Sequence, residues 1–442
     1  MTAHLHLVHD ALRSDQRDPD ESGALLGAAV SYLDGASEPV TTLSTQDLPE
    51  HQGQFGIRPA TAGAAGDVLL DTLESIGLTG HGGGHFPVAT KWRAQLQAGG
   101  GGVVVANAAE GEPASAKDSA LLQFRPHLVL DGLACAAQVV GAEDVVIWLH
   151  EGSHRSHRAV SRALAERRAA ELAEPTMRVV MGPDRYLSGE SSAIIRSLSG
   201  GPALPQFRRV RGATSGVHGP PTLVHNVETL ARVGRAAGAG RYGYEHTTLL
   251  SVAHDDVRTV VEVDPAAALD EVVGAVTGLT RNQLPQAVLV GGYGGAWCSW
   301  DRLVGVSADE NSVREEGLSL GAGVLIPVAA DECGLSQASL IANYLAASSA
   351  RQCGPCLFGL RSVADLLAEL VDGRSRRRDL TRLSRFLAEI TGRGGCSHPD
   401  GAVRMISSAV TTFAEDVESH LRRGTCLHPE RAPYVRIAEV HQ

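Results

Sequence analysis

The chain has 442 residues with 39 basic and 50 acidic side chains, a formal charge of −11. That balance excludes a nucleic-acid binder, whose footprint would be basic. Hydrophobic residues make up 43% and charged residues 20%, an ordinary globular composition, and the length sets an expectation of two to four domains.

Residues 1–64 are read as an N-terminal extension. His4, His6 and His9 alternate with Leu5 and Leu7, a pattern that fits a short strand as well as a metal site. Asp15–Ser22 is acidic and polar and reads as a loop. No basic run precedes a long apolar one near the start, so the expected location is the cytoplasm. The longest uncharged run, Asn282–Trp300, is broken by four glycines, which is wrong for a lipid-facing helix.

An α/β pattern begins at Asp67. Val68, Leu69, Leu70, Leu73 and Ile76 form a helical stripe that stops at Gly77. Strands are predicted at Val103–Ala106, Asp144–Leu149 and Met177–Met181, with helices at His127–Val140 and Arg155–Ala173. Such alternation implies a parallel sheet covered on both faces, with ligands at the carboxyl ends of its strands. From 246 the texture changes. Strands at Thr247–Val252, Arg258–Val263 and Gln286–Val290, and a helix near Ala267–Thr277, suggest a small β-grasp module. From Leu335 the chain reads helical at Gln337–Ala350, Leu357–Val371, Leu380–Ile390 and Ala402–Leu421, a small bundle. The expected fold class is α/β: a Rossmann-like parallel-sheet domain (65–245), a β-grasp domain (246–332) and a C-terminal helical domain (333–442).

Chemistry concentrates in five places. Gly77–Trp92, G-L-T-G-H-G-G-G-H-F-P-V-A-T-K-W, holds five glycines. Its exposed backbone N–H groups suit an anion nest for phosphate, with Lys91 as a point charge and Phe86 for a flat ring; a plain flexible turn is the alternative. Asn107-Ala-Ala-Glu110-Gly-Glu112-Pro113 follows a strand and offers an amide and two carboxylates to a ribityl chain, a ribose or an amide-bearing ring. Tyr186-Leu-Ser-Gly189-Glu190-Ser191 joins an extended segment to a helix, where Glu190 also reads as a first-turn acid. Pro221-Thr-Leu-Val-His225-Asn226-Val-Glu228-Thr229 reads as a ligand contact at Asn226 or as a polar helix entry.

The fifth place is the cysteine set. Seven cysteines, an odd number, disfavour a secreted disulfide framework and favour reduced thiols or metal ligands. Cys353-Gly-Pro-Cys356 follows a helix rather than a strand, which favours metal ligation over a redox dithiol; iron–sulfur and zinc both suit it. Cys396 sits in a second glycine-rich loop. Cys135 lies on an apolar helix and reads as a core thiol. Cys298, Cys333 and Cys426 have no partner spacing.

In this order the motifs resemble the NADH-dehydrogenase flavoprotein subunits of respiratory complex I and their relatives in soluble hydrogenases and formate dehydrogenases, over roughly residues 65–422. The resemblance implies FMN under the Gly loop, then a small SLBB-like β-grasp domain, then a helical bundle with a [4Fe-4S] cluster. It places Gly80, Gly82, Gly83, Lys91, Asn107, Glu110, Tyr186, Gly189, Glu190 and Asn226 on FMN-contact positions. Phe86 and Glu112 fall on positions that meet the dinucleotide, and Cys353, Cys356 and Cys396 on cluster ligands.

This chain also departs from the family. The family's Gly-Arg-Gly-Gly-Ala-Gly-Phe-Pro is G-H-G-G-G-H-F-P here, so His81 and His85 are foreign. A family Asp is Ala109, and N-A-A-E-x-E-P is closer to the Rnf-type electron-transport subunit. A second family Glu is Ser191, and one of two adjacent Asn is His225. Two aromatic positions that hold the NADH adenine are Ala94 and Arg211. The first cluster cysteine falls on Ala350, which leaves a [3Fe-4S] centre or a [4Fe-4S] centre with a non-Cys ligand such as His398; a solvated loop is the other reading of His398. The expected function is an NAD(P)H:acceptor oxidoreductase that exchanges electrons with a ferredoxin-like protein or a sister subunit. The alternatives are an electron-transfer or assembly subunit with a degraded NADH site, and a zinc-stabilised binding protein.

Overall fold

The computed structural model describes residues 24–33, 38–207, 211–240, 243–279 and 283–427. The His4/His6/His9 pattern and the Asp15–Ser22 segment lie outside the described residues. Eleven strands are described: β1 (Val30–Leu33), β2 (Val40–Thr41), β3 (Val103–Ala108), β4 (Asp144–His150), β5 (Met177–Gly182), β6 (Thr222–Asn226), β7 (Thr248–His254), β8 (Val257–Val263), β9 (Ala287–Val290), β10 (Ala296–Ser299) and β11 (Val324–Val328).

Strands β3–β6 form a parallel sheet in the order β5-β4-β3-β6. Successive valines point to opposite faces. Val104, Ala106, Val145 and Ile147 join a core with helices Pro126–Val140, His154–Ala169 and Val227–Ala239. Val103, Val105, Val146 and Trp148 face helix Ser191–Leu198 instead. Burial on both faces is why these strands read as continuous apolar runs. Helices Pro126–Val140 and Val227–Ala239 meet backbone to backbone: a Cβ at Gly132 would stand 1.8 Å from the Leu230 carbonyl oxygen, and one at Gly234 2.5 Å from that of Leu128.

Sheet order decides where a ligand can enter. From β3 the chain moves to β4 and β5 on one side, and β6 then returns to the other side of β3. The carboxyl ends of β3 and β6 therefore flank a topological switch point, the crevice that binds ligands in open α/β sheets. Asn107 and Asn226 are register partners there.

The other sheet is mixed, in the order β10-β9-β11-β7-β8-β1-β2, with β11 and β7 its parallel pair. Helix Leu269–Thr277 packs on it through Leu269, Val272 and Val273. Strand β1 pairs with β8, and the Leu25 and Leu26 amides each donate to Glu262 at 2.8 Å. Residues 24–33 and 38–41 thus complete this sheet, a role their sequence did not suggest.

The bundle contains helices Gly334–Ala347, Leu360–Val371, Arg377–Ile390, His398–Thr412 and Ala414–Arg423. The single helix expected at 402–421 breaks at Phe413, whose ring packs 5.1 Å from Trp297 and fills the space a Gly334 Cβ would need. A π-helical turn, Pro355–Gly359, precedes Leu360–Val371. Among the described residues no helix is long and apolar enough to cross a membrane.

Candidate functional site

A cavity of about 620 Å³ opens at the switch point. One wall is the Gly loop. Gly80 donates to the Phe86 carbonyl at 2.9 Å and Val88 to that of Leu78 at 3.0 Å, so 81–85 forms the tip of a closed hairpin. Gly83 adopts φ +88, which favours glycine. A Cβ at Gly82 would stand 3.3 Å from the Asn226 Cβ, and one at Gly84 would meet nothing within 4 Å. The glycines thus leave a cradle beside β6. Lys91, in the first turn of helix Val88–Gln97, donates to the Val224 carbonyl of β6. Burial lowers its pKa to about 8, so it is mostly cationic at neutral pH.

Three helices begin at the cavity wall, each held by a motif residue. Glu110 accepts from the Asp118 and Ser119 amides, both at 3.0 Å, in the first turn of helix Lys117–Phe124. Glu190 caps Ser191–Leu198 through the Ser192 and Ala193 amides, at 2.8 and 3.2 Å. Asn226 caps Val227–Ala239 through the Glu228 amide at 2.9 Å. The helix-entry readings of Glu190 and Asn226 therefore hold structurally, and the same residues line the cavity. Asn107 donates to the Gly189 carbonyl at 2.7 Å. The two loops touch so closely that a Cβ at Gly189 would stand 2.8 Å from the Ala109 oxygen, and one at Gly111 2.5 Å from the Tyr186 oxygen.

Beneath the Gly loop lies a buried charge cluster that sequence reasoning missed. Lys117 Nζ is 2.8 Å from Glu228 and 3.1 Å from Asp118, and Arg232 is 2.7 Å from Glu228. His81 Nδ1 is 3.2 Å from Glu228 as well. Burial opposes ionisation of Glu228, but the Lys117 and Arg232 cations hold it below the ordinary carboxylate range. Burial raises Asp118 to about 6. The His81 imidazole is pushed down to about 3 by burial, so it is neutral. Lys117 Nζ also reaches the His81 carbonyl at 3.2 Å, tying the cluster to the loop above it. The available signal was Lys117-Asp118, separated from the N-A-A-E-G-E-P motif only by Ala114-Ser115-Ala116.

The foreign residues have local partners. His225 Nε2 accepts from the Trp92 indole at 2.7 Å; burial and Lys91 keep that imidazole neutral. His85 Nε2 lies 3.3 Å from Glu310. Phe86 is 40% exposed, and the Arg211 guanidinium sits 5.2 Å over its ring.

Opposite the Gly loop, the wall belongs to the bundle. Glu112 accepts from the Tyr293 amide at 2.9 Å and from the Tyr186 hydroxyl at 3.5 Å, and burial raises it to about 7. The Tyr186 ring packs against His398 at 5.5 Å and Tyr344 at 5.8 Å. Cys396, Ser397 and His398 line the same cavity. A Cβ at Gly395 would stand 4.0 Å from that of Cys353. Burial raises the Cys356 and Cys396 thiols, and each also feels Cys353. Cys135 and Cys298 are buried core thiols.

His398 is no solvated loop residue. It is buried, and its Nε2 lies 2.9 Å from the Leu345 carbonyl. A carbonyl only accepts, so Nε2 carries the proton. Burial lowers the ring to about 4, leaving Nδ1 as the ligand-capable atom. Cys333 and Cys426 were read as lacking partners; the structure brings them together with His420.

Two family descriptions match the chain: the Nuo51 FMN-binding domain over residues 73–235, and the NADH-ubiquinone oxidoreductase-F iron-sulfur binding region over residues 336–420. The chain belongs to the family of NADH-dehydrogenase flavoprotein subunits. It is 28% identical over 407 residues to an NADH-quinone oxidoreductase subunit of Streptomyces coelicolor, covering 85% of this chain and 88% of that one. It is 28% identical over 397 residues to the corresponding NADH-quinone oxidoreductase subunit of Escherichia coli, covering 84% and 88%. Among solved structures, an NAD+-reducing [NiFe]-hydrogenase in the H2-reduced state superposes with a TM-score of 0.72 at 27% identity, over 81% of this chain and 63% of that one. The air-oxidized state gives 0.73 at 25%, over 87% and 69%.

The residues present fit both cofactors of the family. The glycine cradle and the Lys91 ammonium suit the phosphate of FMN. Three thiols on two loops suit an iron–sulfur cluster, which spaces its ligand sulfurs more widely than a single ion does.

Proposed function

We propose that this chain is an NAD(P)H:acceptor oxidoreductase subunit. It passes electrons between a nicotinamide nucleotide and a protein acceptor, a ferredoxin-like protein or a sister subunit. The observation that carries this reading is the continuity of the cavity, whose wall runs from Gly80 to Cys396. In this assignment Gly80, Gly82, Gly83, Lys91, Asn107, Glu110, Tyr186, Gly189, Glu190 and Asn226 hold FMN. Phe86 and Glu112 meet the dinucleotide, and Cys353, Cys356 and Cys396 hold the cluster. The division at 64/65, 245/246 and 332/333 is proposed with it.

Bound FMN supplies hydride acceptance and one-electron release. The chain supplies position and charge. Lys91 offsets phosphate charge, and Glu110, Glu190 and Asn226 fix the helix starts that frame the cavity. Glu112, at about 7, holds a proton about half the time at neutral pH beside Tyr186. The Tyr186 ring packs on those of His398 and Tyr344 beside the cavity. Arg211 over Phe86 places a guanidinium suited to the 2′-phosphate of NADPH. Ala350 stands where a fourth thiolate would be, so one iron takes a non-Cys ligand or is missing, and His398 Nδ1 is one candidate ligand.

The test is anaerobic bleaching of the flavin by NADPH and by NADH. Bleaching by either supports the reading; bleaching by dithionite alone refutes nucleotide turnover. A second reading, FMN and cluster held without nucleotide turnover, draws on Ala94 and Ser191 and on the His85–Glu310 contact that tethers the loop tip. That dithionite-only result is the outcome it expects.

A further inference from the structure

We propose that Cys333, His420 and Cys426 form a separate metal site that takes one zinc ion. Their ligand atoms all lie within 4.8 Å of one another. Cys333 Sγ is 3.5 Å from His420 Nε2. With Zn–S near 2.3 Å and Zn–N near 2.0–2.1 Å, the S–N edge of a zinc tetrahedron is about 3.6 Å. The pair is thus already spaced for a shared ion.

The three residues come from three places. Cys333 is the N-cap of helix Gly334–Ala347, where its sulfur accepts from the Ser336 amide at 3.4 Å. His420 lies in the last turn of helix Ala414–Arg423. Cys426 is carried back over that turn by Gly424, which ends the helix at φ +72. Two hydrogen bonds hold the return: Ser419 Oγ to the Thr425 carbonyl at 2.8 Å, and the Leu427 amide to Asp416 at 3.4 Å. Gly373 makes room for it, since a Cβ there would stand 2.4 Å from the Gly424 Cα.

The chemistry of the set is zinc-like. Two thiolates and one imidazole are soft and intermediate donors, and their charge cancels that of a divalent ion. Cys333 and His420 are buried and Cys426 is half-buried. Burial pushes the Cys333 thiol up to about 11. A buried thiol and a half-buried one packed on an imidazole gain little without an ion, whereas zinc displaces their protons and binds the thiolates. Water takes the fourth position on the half-exposed Cys426 side, and the buried Asp416 carboxylate lies alongside. The site closes a chain segment of the bundle that contains all three proposed cluster thiols.

The test is metal analysis of the full-length protein, purified anaerobically, incubated with equimolar zinc and desalted. One zinc per chain is expected in the wild type. His420→Ala and Cys426→Ser should each lower zinc at least ~10-fold while FMN and iron stay constant. Cys353→Ser should lower iron and leave zinc. Cys426→Ser decides the matter, because its half-exposed position spares the core. A zinc-free wild type overturns the proposal. So does zinc retained in Cys426→Ser, or a Cys333–Cys426 disulfide under anaerobic conditions.

Discussion

The two walls of the cavity are built by different means. On the sheet side, the Gly loop, Asn107, Glu110, Glu190 and Asn226 are fixed by hydrogen bonds to backbone at strand ends and helix starts. On the bundle side, Cys353, Cys356 and Cys396 come from two loops, one of which includes a π-helical turn and Arg351 at φ +52. Such turns and positive φ values concentrate at functional sites. The sheet side is pre-organised by main chain, so no single side chain carries it. In the proposed assignment the bundle side depends on each of Cys353, Cys356 and Cys396, with Ala350 at the position of a fourth thiol.

This contrast predicts a graded response to mutation. Cys356→Ser removes the most buried of the three thiols and should strip cluster iron at least ~10-fold, leaving FMN bound; iron and flavin assays on the same sample check it. Gly189→Val forces a Cβ to within 2.8 Å of the Ala109 oxygen and should destabilise by about 1–3 kcal/mol, read as a fall in Tm with flavin loss. Lys91→Ala should weaken FMN binding by about 1.5–3 kcal/mol, the worth of a hydrogen bond to a charged group, measured by flavin release on dilution. Flavin retained in full by that variant would remove Lys91 from the phosphate site.

The smaller effects sharpen the comparison. Glu112 has a raised folded pKa, about 7, against about 4.3 unfolded. Its protonated form is favoured by folding, so its stability contribution is full below pH 4 and is lost as pH rises through 7. The loss is on the order of 1–3 kcal/mol; Glu112→Gln should flatten that part of the stability-versus-pH curve. Ala350→Cys supplies a fourth thiol to the bundle side alone, and should convert a three-iron or substoichiometric EPR signal to that of a stable four-iron cluster.

The sequence carried the sheet side better than the bundle side, for a physical reason. Gly77–Trp92, Asn107–Glu112 and Tyr186–Glu190 are local motifs, and β3 and β4 are apolar runs because both faces are buried. Strand β6 was hidden because Pro220-Pro221 and polar His225-Asn226 flank only three apolar or β-branched residues. The dual role of Asn226, ending a strand and capping a helix, is compressed into one position. The Lys117–Glu228–Arg232 cluster joins residues more than a hundred positions apart, and no periodicity reports such a contact. No periodicity reports the approach of Cys333 and Cys426 either, or the place of β1 beside β8, where Glu262 gathers the Leu25 and Leu26 amides.

In the proposed assignment one cavity brings FMN beside the Cys396 end of a cluster. Power-saturation EPR of the anaerobic, half-reduced protein tests it most directly. If the claim is right, the flavin signal relaxes fast in the wild type, and slowly in a Cys396→Ser protein that keeps its FMN but lacks the cluster. A flavin signal with the same slow relaxation in both proteins would contradict it.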